Sequence, residues 1–479
     1  MNIRMILYIL GWVLCIESLF LCLPLITGLL YGEAVWSAYA IVAGFSLVAG
    51  VVLRQLRPKN TAFYAREGFT TVALSWTVMG LVGALPFVLG GEVPSYVDAV
   101  FETVSGFTTT GATILSDVET LSHASLLWRS TTHWVGGMGV LVFVLAIIPL
   151  VGGHSIYLLR AESPGPSVGK LGPHMKDTAV ILYTIYIALT VLEMTILLFG
   201  GMTWFEAINT AMSTAGTGGF GFLNDSMASF SPFIRATVAV FMLLFGVNFN
   251  LYYCVYARRP RDFFKSEELW VYVGIAMIST FVITGNILSI EGNLPDALNH
   301  AFFQVATIMS TTGFSTADFN QWPELSRMIL VALMFVGGSA GSTAGGMKVS
   351  RIILLFKSVR REFKLMVHPR AVGVIHFEGK RVQHEVTRSV NMFFITYIGL
   401  VVLSVLVLSL DQFDFTTNFT ATVATLSNVG PGLGAVGPMG NFGDFSVLSK
   451  LLLTFNMLAG RLELFPMLLL FMPSTWKCR

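Results

Sequence analysis

The chain has 479 residues, 54% of them apolar and only 12% charged, and its mean hydropathy is +0.73. Soluble domains carry about 25% charged residues, so this composition excludes an ordinary water-soluble globule and points to a bilayer. The net charge of +2 decides little; where the charges fall decides more.

Runs long enough to span a membrane lie near 5–30, 35–53, 68–90, 125–150, 178–200, 232–257, 268–290, 327–357, 389–410 and 446–472. The first, from Met5 to Leu30, contains Glu17, lacks a small-x-small cleavage site and exceeds a signal-peptide core, so a retained helix is expected. Cys15, Cys22, Cys254 and Cys478 show neither metal nor disulfide spacing and read as packing residues. Four shorter apolar runs, 99–112, 207–220, 301–314 and 418–431, fall between spans three and four, five and six, seven and eight, and nine and ten. A helical crossing takes roughly 20 residues, so these runs reach only part of the way. They end in Thr108-Thr109-Thr110-Gly111, Gly216-Thr217-Gly218-Gly219, Ser310-Thr311-Thr312-Gly313 and Ser427-Asn428-Val429-Gly430.

The chain therefore reads as an all-α polytopic membrane protein. Two leading transmembrane helices (1–66) precede four copies of span, short helix, loop and span at 67–176, 177–265, 266–385 and 386–479. Glycine-to-glycine spacings of 108, 94 and 117 residues measure the repeat. Lysine and arginine favour the cytoplasmic side. They crowd the connections after even-numbered spans, as in Arg54, Arg57, Lys59 and Arg66, or Arg258, Arg259, Arg261 and Lys265. Those connections and both termini are thus expected in the cytoplasm, and every repeat starts inside, so the four are parallel. The opposite face holds Arg129, Arg235, Arg327 and Lys450, each 14 to 20 residues after a loop glycine. Its carboxylates, among them Glu33, Glu92, Asp117, Glu119, Asp318 and Asp414, would concentrate cations at an outer mouth, although a merely solvated face explains each singly.

Irregular backbone at membrane depth needs protein or water to cover it. Four such loops around one axis could replace a cation's water shell with carbonyl oxygens. Glycine permits the dihedrals this requires, and threonine and asparagine add neutral oxygens. No loop carries a carboxylate, which argues for a monovalent ion over calcium or magnesium. Close helix packing through the same glycines is the plainer alternative.

The Ser-Gly-Phe-Thr-Thr-Thr-Gly-Ala-Thr of residues 105–113, the Ser-Thr-Thr-Gly-Phe-Ser-Thr of residues 310–316 and the four-repeat plan resemble the potassium-uptake superfamily of TrkH, KtrB and HKT proteins over essentially the whole chain. The two leading helices place it nearer the TrkH branch. The resemblance implies a potassium filter of Thr109, Thr110 and Gly111; Thr217, Gly218 and Gly219; Thr311, Thr312 and Gly313; and Asn428, Val429 and Gly430. Sodium-selective relatives carry serine at the first filter glycine, where this chain has Gly111. The fourth copy, with Asn428-Val429, departs most. The resemblance also implies a homodimer in a bacterial cytoplasmic membrane, docked by a cytosolic nucleotide-binding ring of the TrkA or KtrA kind. Potassium is then cargo, and no cofactor is expected in the chain.

Span eight contains Gly337, Gly338, Gly341, Gly345 and Gly346 within ten residues, followed by Met347 and Lys348. Each interior glycine costs a helix about 1 kcal/mol against alanine, so 337–348 is expected to be an unwound gate loop beneath the third filter. In span ten, Arg461 and Glu463 interrupt an apolar run. Intramembrane charges are costly and functional by default, and residues two apart do not share a helix face, so each needs its own partner. By resemblance Arg461 lies in the conduction path beside the loop, where it would repel cations and hold loop carbonyls. Lys348 is a weaker gate candidate that could reach the cytoplasmic interface.

Gly216 to Gly221 and Gly432 to Gly437 fit G-x-G-x-x-G, but neither follows a strand. The eight histidines form no ligand spacing, and no catalytic constellation or nucleic-acid partner is read, so the chain is not expected to be an enzyme. Two functional readings remain in front: a gated potassium path, and a potassium symporter coupled to sodium or protons. A sodium-permeable relative and a membrane scaffold trail them.

Overall fold

The computed structural model describes residues 1–58, 64–151, 175–370 and 373–476. The described residues are helical, with one two-residue strand pair among them, His376–Phe377 against Lys380–Arg381. Among the described residues six helices are long and apolar enough to cross a membrane, and a seventh if Pro232–Phe245 and Phe249–Tyr256 count as one bent span. This is a multi-pass membrane protein. The leading helices Ile3–Tyr31 and Trp36–Gln55 cross at Gly11 and Gly50, where an added Cβ on either would meet the other's carbonyl oxygen at 2.8 Å. Small residues allow that close approach.

The four short runs form the helices Tyr96–Phe107, Trp204–Gly216, Leu294–Met309 and Phe415–Leu426, of 12, 13, 16 and 12 residues. At about 1.5 Å per residue they reach roughly 18–24 Å, short of a roughly 30 Å hydrocarbon core. Each starts on a side-chain cap. Ser95, Thr203, Asn293 and Asp414 accept from the amides of Asp98, Glu206, Asp296 and Thr417, satisfying donors that the first turn leaves free. All four are buried along their second halves.

The later spans depart from single helices in three places. The run near 327–357 is broken as expected: Glu324–Val336 stops, and Val349–Val367 resumes after an irregular segment. The run read as one span near 232–257 bends by 88° between Pro232–Phe245 and Phe249–Tyr256. The run near 446–472 stops at Arg461 and resumes as Phe465–Leu470. The cause of this last break is local, because Glu463 and Leu464 take left-handed φ of 64° and 62° and Pro466 lacks an amide hydrogen. The bend at Gly246 to Asn248 has a tertiary cause, described next.

Candidate functional site

Each short helix ends in the same way. Thr109, Thr217, Thr311 and Asn428 adopt left-handed φ of 52°, 55°, 57° and 54°, and each lies two residues before a glycine with positive φ. The residue between them donates its amide five residues back: Thr110 to Ser105, Gly218 to Ser213, Thr312 to Thr307 and Val429 to Ala424, at 2.9, 2.9, 2.8 and 2.8 Å. This is a Schellman cap, built four times with threonine or asparagine at the position that glycine usually fills.

The caps bring the loops into a ring. A Cβ added to Gly111 would fall on the carbonyl oxygen of Gly218, one on Gly219 on that of Thr312, one on Gly313 on that of Val429, and one on Gly430 on that of Thr110. Each loop thus touches the next in chain order and the fourth touches the first. Among the described residues the carbonyls of Thr110, Gly218, Thr312 and Val429 accept no hydrogen bond. Buried carbonyls are nearly always paired, so four left without a protein donor in one closed ring mark a candidate site. Above them lies a cavity of about 230 Å³, whose lining includes all four glycines, Arg129 and Asn441.

The ring is braced by polar side chains. Thr108 pairs with Thr110 at 2.8 Å and Ser310 with Thr312 at 2.7 Å, hydroxyl to hydroxyl. Asn428, the divergent residue of the fourth copy, donates to the Thr110 hydroxyl and the Met457 carbonyl, both at 2.9 Å. Its amide ties the last loop to the first.

Two further residues were not singled out by the sequence as parts of this site. Arg129, buried, donates to Glu102 at 2.9 Å and to the Gly221 carbonyl at 3.0 Å. Glu102 in turn accepts from the Thr113 hydroxyl at 3.0 Å and the Ile114 amide at 3.1 Å. The ion pair therefore clamps the segments just beyond the first two loops. His133, fully buried, has its Nδ1 2.9 Å from the Gly106 carbonyl, and its Nε2 accepts from the Phe220 amide at 3.2 Å. A carbonyl on one nitrogen and an N–H on the other fix the neutral, Nδ1-protonated imidazole. The one cue was a cluster of polar residues, Arg129 to His133, in an apolar run.

The expected acidic mouth takes a different form. Glu33 binds the His123 and Ala124 amides, Glu92 the Ser122 amide, and Asp117 and Glu119 the Asn224 side chain and amide. These carboxylates serve as caps and loop ties, and the cavity lining contains none.

Beneath the ring runs the irregular segment 337–348. Its amides and carbonyls pair with those freed by the bend at Gly246 to Asn248. Ser339 donates to Gly246 at 2.9 Å, Phe249 donates to Gly341 at 3.1 Å, and the Thr343 hydroxyl donates to Phe245 at 3.2 Å. Two broken helices thus satisfy each other, as intramembrane backbone must. Gly338 accepts from Val349 at 3.0 Å. Gly345 donates to the Thr311 hydroxyl at 2.6 Å and Gly346 to the Ser427 carbonyl at 2.9 Å, so the segment hangs directly from the third and fourth loops. Arg461 donates to the carbonyls of Thr343 at 2.6 Å and Gly136 at 2.7 Å, while Glu463 pairs with Arg351. Separate partners were expected for this pair and are found. Lys348, the weaker gate candidate, stays with the segment. It is buried rather than directed to an interface, with φ of 73° and its ammonium folded back onto the Ala344 carbonyl.

Comparison with known proteins agrees with this architecture. The TrkH family model, described as cation transport protein, matches residues 38–477. The TrkH potassium uptake protein of Salmonella typhimurium is 38% identical, and TrkG of Escherichia coli K12 is 32% identical; the alignments cover 100% and 99% of each chain. The crystal structure of the potassium transporter TrkH from Vibrio parahaemolyticus superposes over 100% of both chains with a TM-score of 0.89 at 35% identity. The chain belongs to the TrkH family of cation transport proteins.

Proposed function

We propose that this protein takes up potassium across the bacterial cytoplasmic membrane through the ring formed at Gly111, Gly219, Gly313 and Gly430. The observation that carries the reading is the closed circuit of four carbonyls that the protein leaves unpaired. Such a ring replaces a hydration shell without a formal charge, so a monovalent ion binds and leaves again. The hydroxyls of Thr109, Thr217 and Thr311 and the Asn428 amide oxygen lie one residue below and offer further neutral ligands. Relatives named as potassium uptake proteins support the choice of ion.

The segment 337–348 is the barrier in this reading, held by Arg461, whose guanidinium also places a fixed positive charge on the path below the ring. Conduction needs only that these hydrogen bonds let go, so a gated path is favoured over coupled symport. The relatives are named as parts of a Trk uptake system, in keeping with a cytosolic nucleotide-binding regulatory ring docked on a homodimer. The basic connections and both termini face the cytoplasm in this assignment. An ion bound only by the folded state raises the thermal midpoint. Potassium and rubidium are expected to raise it for the purified protein in detergent relative to choline, and equal midpoints in potassium and choline would remove the ring as an ion site.

A further inference from the structure

The connection between Val367 and His384 contains the two-residue strand pair, in register His376 with Arg381 and Phe377 with Lys380. Glu378 and Gly379 turn it with φ of 51° and 70°, the left-handed pair that a tight hairpin demands. The turn does not hang free. The Glu378 carboxylate accepts from the Ser266 hydroxyl at 2.8 Å and from the Glu268 amide at 3.0 Å, adding a second cap to the helix Glu267–Glu291. Glu268, 4% exposed, continues the chain of contacts inward. One of its oxygens accepts from Ala340 at 2.7 Å, within the irregular segment, and from Ser350 at 3.1 Å, in the first turn of the helix that follows it. On that same helix Lys357 pairs with Glu267 at 2.5 Å and donates to the His376 carbonyl of the hairpin at 2.8 Å.

We infer that Glu378 and Glu268 form a latch, in which the exposed hairpin turn positions one buried carboxylate and that carboxylate holds the segment 337–348 in its closed arrangement. This rests on the reading of that segment as the gate. Among the described residues Glu268 is the only side chain on the Ala340 amide, and it grips the moving part and the emerging helix with the same oxygen, so its displacement frees both. The latch is also poised to open. Glu378 binds the Glu268 backbone, which places a third carboxylate at a helix end that already carries Glu267, paired with Lys357, and Glu268. Their mutual repulsion opposes the helix-dipole and hydrogen-bond gain. Lifting the hairpin off Ser266 therefore reaches the gate through a single contact chain, from a surface open to a cytosolic partner.

The test is rubidium and sodium uptake by proteoliposomes holding the full chain, with Glu378→Ala, Glu378→Gln, Arg461→Ala and the double variant Glu378→Ala with Arg461→Ala. Position 378 lies on an exposed turn, so folding is retained. Loss of a hydrogen bond to a charged acceptor shifts an equilibrium roughly tenfold, and Glu378→Ala is expected to raise resting rubidium flux by about that factor with the rubidium-to-sodium ratio unchanged. Glu378→Gln keeps an oxygen for Ser266 and Glu268 and should stay near wild type. The double variant should fall short of the product of the two single effects, since both act on one segment. If Arg461→Ala raises flux and Glu378→Ala does not, the latch is overturned while the gate stands. If neither raises it, the gate reading itself fails. A Glu378→Ala flux that has lost ion preference would mean damage to the ring and would also overturn the latch.

Discussion

At the scale of single residues, the ring depends on the absence of a side chain at Gly111. Its φ is 78°, and a Cβ there would overlap the Gly218 carbonyl oxygen. Gly111→Ser should therefore turn that oxygen aside, weaken the ring's preference for the larger ion and raise sodium permeation relative to potassium. Unaltered selectivity in flux assays would undercut the assignment at that loop. His133 makes a complementary prediction. Its two ring nitrogens join the first short helix to the second loop, so His133→Leu strands the Phe220 amide in a buried place and leaves the Gly106 carbonyl with only the Thr109 amide. Each buried group left without a partner costs about 1–3 kcal/mol. A lowered thermal midpoint together with broadened ion preference is expected; a lowered midpoint with intact preference would reduce His133 to packing. The place of Gly111 was legible from the sequence, but the roles of His133 and Arg129 were not. The partners of His133 and Arg129 lie as far as 87 and 92 residues away, and no local pattern encodes such distances.

Among the elements, the short helices were legible and the breaks only partly so. Length against bilayer thickness marked the four short runs, and hydroxyl or Asx caps at Ser95, Thr203, Asn293 and Asp414 stand in the sequence as an independent signal of where they begin. Five glycines announced the break at 337–348. The bend at Gly246 to Asn248 was missed because a single glycine is a weak signal. Its stabilising partners, Ser339, Gly341 and Thr343, come from the other break and appear only once the two face each other. Arg461 follows from the same logic: an intramembrane arginine requires acceptors, and it finds them on the segment and on Gly136. Arg461→Ala removes charge-assisted bonds worth about 1.5–3 kcal/mol each and, in the proposed gate, a positive charge below the ring, so resting potassium flux should rise at least tenfold. Normal expression with unchanged flux would count against the gate.

For the whole molecule, composition established the membrane setting and the spacing of the loop glycines established their recurrence. What neither could supply is the order in which the loops meet. The contacts Gly111 with Gly218, Gly219 with Thr312, Gly313 with Val429 and Gly430 with Thr110 show a circuit running in chain order, which a mere succession of glycine-rich turns does not require. The asymmetry of the fourth copy likewise acquires a physical role only in three dimensions, where Asn428 closes the circuit by reaching Thr110. The central claim is that this circuit is a potassium path needing no second ion. It is tested most directly by cation uptake into liposomes holding the purified protein, wild type and Arg461→Ala, under an imposed membrane potential. Potassium and rubidium uptake exceeding that of sodium and lithium, with no sodium or proton gradient present, is the predicted result. Uptake that appears only when a sodium or proton gradient is supplied would contradict it.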